Sequence, residues 1–185
     1  MQSGVRKHAL VRRGFWATAL VGVLILLPPG CITPAETAEA TALGAGSLAN
    51  AFASPNALGR AVLTAIREDD PEGLEALRVT REEYVSLLWD QLPESGNTPL
   101  DFVWQLNQDN SREGRKAALA EYGGQEFELI GLRFTEPPEV YSTFVLHFGG
   151  QLWARRKTDG EEGVLPLVGV VVEHQGHWKL LSFAE

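Results

Sequence analysis

The chain has 185 residues, 44% of them hydrophobic, with five Trp and eight Phe, enough apolar material to bury a core. Its formal net charge is −8, and because residues 1–30 hold Arg6, Lys7, Arg12 and Arg13 but no acid, the remainder carries 12 basic and 24 acidic residues. Such a surface repels phosphate backbones and excludes nucleic acid as a partner, while the single cysteine, Cys31, excludes an internal disulfide and a cysteine-based zinc cluster.

Met1–Arg13 is basic, Phe15–Leu27 is an apolar run of 13 residues, and Pro28-Pro29-Gly30-Cys31 follows. A charged start, a short apolar stretch and a small residue at its end make a secretory signal peptide over residues 1–30. The apolar run falls short of the roughly 20 residues that span a bilayer. With the only cysteine where cleavage falls, the segment resembles a bacterial lipoprotein signal, although Pro28 and Pro29 occupy two of its usual positions. The resemblance implies a lipid on Cys31, hence export and anchoring to a membrane of the cell envelope. An ordinary signal peptide with an incidental cysteine is the alternative. Arg12-Arg13-Gly14-Phe15-Trp16 is similar to a twin-arginine export signal, and equally serves as the basic start of a general one.

Residues 31–54 then read as the lipidated cysteine and a tether rich in Ala, Thr, Gly and Glu, with Phe52 its only aromatic residue. That composition buries too little apolar surface to offset the entropy of ordering, so a disordered tether is expected, or a frayed helix through Ala35–Leu43.

The folded domain is expected over residues 55–185, helices first. Ser54-Pro55 caps a helix whose Leu58, Val62, Ala65 and Ile66 share a stripe, and Asp70-Pro71 starts a short one with Leu74 and Leu77. Thr80-Arg81-Glu82-Glu83 is a capping box, with Tyr84, Leu87 and Leu88 as the apolar face behind it, Trp89 at the edge and Pro93 as the stop. Thr98-Pro99 starts the next helix, with Phe102, Val103 and Leu106 predicted to face inward. Asn107–Arg112 is polar and Ser111 is a possible cap, so the pattern favours two helices across 99–122 and a solvated middle. Gly123-Gly124 ends the helical half.

From Phe127 the period becomes that of strands: Phe127–Phe134, Val140–Phe148 and Gln151–Lys157, then a hairpin loop at Thr158–Gly163. Val164–Phe183 reads as a closing hairpin. The fold class is α+β, N-terminal helices packed on a curved antiparallel meander of about five strands. This element order, with Gly169-Val170-Val171-Val172-Glu173 and Trp178-Lys179-Leu180-Leu181-Ser182-Phe183 as its ending, resembles the nuclear transport factor 2-like superfamily. The closing hairpin is similar to those of small lipoproteins in that superfamily that have no assigned activity.

The resemblance implies a cone with a pocket between helices and sheet, where enzymatic relatives place carboxylates, Tyr or His. The strands carry Glu128, Arg133, His147, Arg155, Arg156, Glu173, His177 and Lys179 but no Asp, and no position matches the isomerases' Asp base. His147, Tyr141 and Trp104 are the candidate pocket residues. His147 is either a base or a half-buried histidine without a partner. Glu173, His174 and His177 fall on different faces across a turn, so no metal is predicted, and no cofactor is implied. Val170, Val171 and Val172 are apolar on both faces, whereas the helices are expected to cover only one. They form a candidate interaction face for a second copy of the chain or an envelope protein. A non-enzymatic binding module is the favoured function, and an isomerase- or cyclase-like acid/base enzyme using His147 is the alternative.

Overall fold

The computed structural model describes residues 46–184. The signal segment 1–30, Cys31 and the first part of the tether lie outside the described residues. Helix α1 (Pro55–Glu68) is capped by the Ser54 hydroxyl, which accepts from the Ala57 amide, and α2 (Pro71–Ala76) by Asp70. Helix α3 (Arg81–Glu83) opens with the capping box and runs on as a π-helical turn, Tyr84–Leu88, then two 3₁₀ turns, Trp89–Gln91 and Pro93–Gly96. Among the described residues no helix is long and apolar enough to cross a membrane.

Helix α4 (Leu100–Tyr122) is unbroken, against the expectation of two. Ser111 does not cap a new start; fully buried, its hydroxyl accepts from the Phe183 amide at 3.0 Å. Of the predicted inward face, Val103 lines a cleft, but the other two residues do not turn in. Phe102 and Leu106 are 63% and 51% exposed, whereas Asn107 and Gln108 turn towards the body of the fold. Gly114 lies so close to the end of the chain that a Cβ there would stand 2.1 Å from the Ala184 carbonyl oxygen. The polar middle of α4 therefore has a packed side, Asn107, Gln108 and Ser111, and a solvated one, Asn110 and Arg112.

Among the described residues seven strands, not five, make two antiparallel sheets: β1 (Phe127–Phe134), β2 (Glu139–Val140), β3 (Phe144–His147), β4 (Gly150–Arg156), β5 (Glu162–Leu165), β6 (Val168–His174) and β7 (His177–Phe183). Their orders are β1-β4-β5 and β2-β3-β6-β7. The predicted Val140–Phe148 strand breaks at Tyr141-Ser142-Thr143. The run from Val164 breaks around Pro166, whose ring removes a ladder donor, so β5 pairs with β4 while β6 crosses to pair with β3. The closing hairpin turns on two residues, Gln175 and Gly176, both at positive φ, as a right-twisted tight turn requires.

Two cores sit on opposite faces of β6 and β7. Val171, Leu180 and Phe183 join α1, α2 and the three-stranded sheet, while Val172 and Leu181 join Leu48, Tyr84, Leu88, Phe144 and Leu146. Val171 and Val172 are both fully buried. The expected uncovered face is therefore corrected at Val171, which the first core covers, and at Val172, which the 79–92 segment and the incoming chain cover, whereas Val170 is half-buried. The domain boundary moves too. Leu48 is 6% exposed, Phe52 exchanges two backbone hydrogen bonds with Trp178, and residues 46–54 belong to the fold rather than to a tether. His174, buried, places Nδ1 2.8 Å from the Thr143 carbonyl and Nε2 2.6 Å from that of Gly46. Both partners are acceptors, so the ring makes both bonds only with a proton on each nitrogen.

Candidate functional site

The capping box fixes where the helical segment enters the fold. Thr80 Oγ1 accepts from the Glu83 amide, and the Glu83 carboxylate accepts from the Thr80 and Ala49 amides at 2.7 and 2.6 Å. Lys179 Nζ from β7 donates to both Glu83 oxygens at 2.8 and 2.9 Å, making an almost fully buried ion pair. The next turn is π-helical, with the Trp89 amide bonded to the Tyr84 carbonyl five residues back. Such widened turns often accompany functional sites. Here the turn sends Tyr84 inward, 3% exposed, its ring 5.1 Å from that of Trp104 and 6.1 Å from that of Trp89.

Tyr84 lines a cleft of about 300 Å³ between the helices and the four-stranded sheet. Leu92, Val103, Leu146, Phe148 and Leu181 supply apolar walls, and Glu94, Asn107, Glu139 and Tyr141 the polar groups. The Tyr141 hydroxyl donates to Glu139 at 2.7 Å, and its ring stacks on Phe144 at 4.5 Å. Asn107 is oriented from behind. Its Oδ1 accepts from the buried Arg78 guanidinium at 2.6 Å, which leaves its NH₂ as the free half of the amide. Arg78 also donates to Gln108, Glu75 and the Leu181 carbonyl, so α2, α4 and β7 meet on one side chain.

Burial pushes the Tyr84 hydroxyl up to about 12, helped by the Glu94 charge. Burial also takes Tyr141 to about 12, reinforced by the hydrogen bond to Glu139 and by the charges of Glu139 and Glu94. Both phenols are therefore neutral donors across the physiological range. The folded values lie above the ordinary value of 10, so their contribution to stability is complete below about pH 10 and disappears as pH rises towards 12. In a spectrophotometric titration, native phenolate absorbance is expected to lag the denatured chain's by well over one pH unit, with the denaturation midpoint falling over the same interval. Coincident native and denatured curves would contradict this cleft geometry.

The three residues proposed from sequence do not meet. Tyr141 lines the cleft. Trp104 packs against Tyr84 but lines the neighbouring groove beside Arg78. His147 sits on the other face of its strand, where Nε2 is 3.0 Å from Glu173 Oε2 and the ring contacts Trp178 and Phe134 at 4.7 and 4.9 Å. It has a carboxylate partner and lies outside the cleft. His177 Nδ1 faces the Gln175 carbonyl, so Glu173, His174 and His177 diverge; among the described residues no three His, Cys, Asp or Glu gather as metal ligands. Sequence reasoning missed Tyr84 and Asn107. The available signal for Tyr84 is its place directly behind a capping box; nothing in the sequence marks Asn107.

The chain matches no family model, no curated protein and no solved structure.

Proposed function

We propose that the chain is an exported envelope protein, lipid-anchored through Cys31, whose domain is a non-enzymatic module that binds a small molecule in the helix–sheet cleft. The domain is, on this proposal, a variant of the nuclear transport factor 2-like cone. Helices preceding antiparallel strands, with a cleft between the two, support that assignment. The observation that carries the binding function is the pair of donors in an apolar recess: the Tyr84 hydroxyl and the Asn107 amide. A few placed polar groups in a mainly apolar concavity are what small-molecule sites have in common.

An acid/base enzyme fits less well. His147, its candidate base, is turned away from the cleft. Glu94 and Glu139 stand at the exposed rim, surrounded by water instead of the apolar wall that makes a carboxylate a strong base.

Two measurements test the proposal on the full chain. A radioactive fatty acid fed to the producing cells should label the wild type and not Cys31→Ser; equal label in both removes the lipid anchor. Native mass spectrometry of protein purified from its own envelope should show a small molecule that leaves in Tyr84→Phe/Asn107→Leu, and retention in that variant places the ligand elsewhere.

A further inference from the structure

We infer that the ligand is an organic cation with an uncharged hydrogen-bond acceptor on its body, an inference that rests on the binding function proposed above. Charge comes first. Two carboxylates, Glu94 and Glu139, line the cleft, and no Lys, Arg or His does. The Glu94 charge reaches both Tyr84 and Tyr141. An anionic ligand meets two negative groups there, and the nearest cation, Arg78, stands behind Asn107 and is already paired with Glu75.

The second observation is aromatic. Tyr141 and Phe148 line the cleft beside the carboxylates, with Phe144 stacked behind Tyr141. Ring faces attract ammonium groups, most strongly where water is partly excluded.

The third lies at depth. Tyr84 is 3% exposed, and its hydroxyl has no hydrogen-bond partner among the described residues, although it borders the cleft. Asn107 lines the same cleft, and its carbonyl is committed to Arg78, which leaves the NH₂ as the donor. Two neutral donors call for an acceptor, and the nearby negative charge selects a carbonyl or ether oxygen over a carboxylate. The ammonium therefore belongs at the acidic aromatic rim, and the oxygen at the Tyr84 end. A volume of about 300 Å³ suits a compact molecule.

Titration calorimetry and amide NMR on the full chain in 0.15 M salt, about a physiological ionic strength, separate the possibilities, using three probes. Butyrylcholine carries the cation and the oxygen, 3,3-dimethylbutyl butyrate is its neutral isostere, and hexanoate is an anion. Butyrylcholine should bind at least tenfold more tightly than the isostere. Glu94→Gln/Glu139→Gln should remove that advantage without changing the isostere's affinity; both side chains are exposed, so the variant keeps its fold. Tyr84→Phe should weaken butyrylcholine severalfold and leave tetramethylammonium, which lacks the oxygen, unchanged. Equal or tighter binding of the isostere or of hexanoate, or an unaltered cation affinity in the double Gln variant, overturns the cation assignment while leaving the cleft a binding site. Failure of all three probes to shift the Tyr84 and Asn107 signals overturns the binding function itself.

Discussion

Replacing Glu83 by Ala is expected to destabilise the domain by about 3–5 kcal/mol, the cost of leaving a buried charge without its partner. Glu83 does three things at once. It closes the capping box at Thr80, accepts from the Ala49 amide, and neutralises Lys179, whose residue is 2% exposed. Among the described residues no second carboxylate bonds to Lys179, so its ammonium would be left in the core without a partner. Taking the whole pair out should cost far less, because well-packed apolar residues of similar volume often replace a buried pair with little loss. Glu83→Leu/Lys179→Met is thus predicted to recover most of the stability lost in Glu83→Ala. Urea denaturation of the three proteins checks this; a Glu83→Ala loss below about 1 kcal/mol would mean that the pair behaves as a surface bridge.

Arg78→Leu should cost about 2–4 kcal/mol through the acceptors it strands. Burial holds the Arg78 guanidinium below its ordinary value, an effect that Glu75 partly offsets. Its donors reach Glu75, Asn107, Gln108 and the Leu181 carbonyl, so one substitution loosens α2, α4 and β7 together. Glu75 retains Arg115 as a partner, while the Leu181 carbonyl loses its side-chain donor. Arg78→Lys should rescue little, since an ammonium cannot copy the planar fork. This substitution carries a second signature that Glu83→Ala lacks. With Asn107 free to flip its amide, ligand affinity in the cleft should fall even at temperatures where the variant is fully folded. Unchanged affinity would show that the amide is held by something else.

The local elements were legible in the sequence where a single residue type decides the geometry. Ser54, Asp70 and Thr80 are caps because a short side-chain oxygen reaches free amides, and Gln175-Gly176 turns because positive φ is inexpensive there. Properties that depend on distant partners were not legible. Phe102 and Leu106 mark an inward face by hydrophobicity, yet Asn107, Gln108 and Ser111 occupy it, because Arg78 and the Phe183 amide need acceptors. Val171 and Val172 were correctly seen as apolar on both faces, but only the structure shows that each face has its own core. Of the cleft, Tyr141 was anticipated. Tyr84 reads from the sequence only as part of an apolar helix face, because the π-helical turn that aims it is invisible to a period of 3.6.

The docking of residues 46–52 shortens the leash. Between Cys31 and Gly46 there are 15 peptide steps, which when fully extended span at most about 50 Å. Were Cys31 lipidated as proposed, that length would set how far the entry point of the domain could stand from the bilayer. The chain also enters the fold beside His174, at the turn of the closing hairpin.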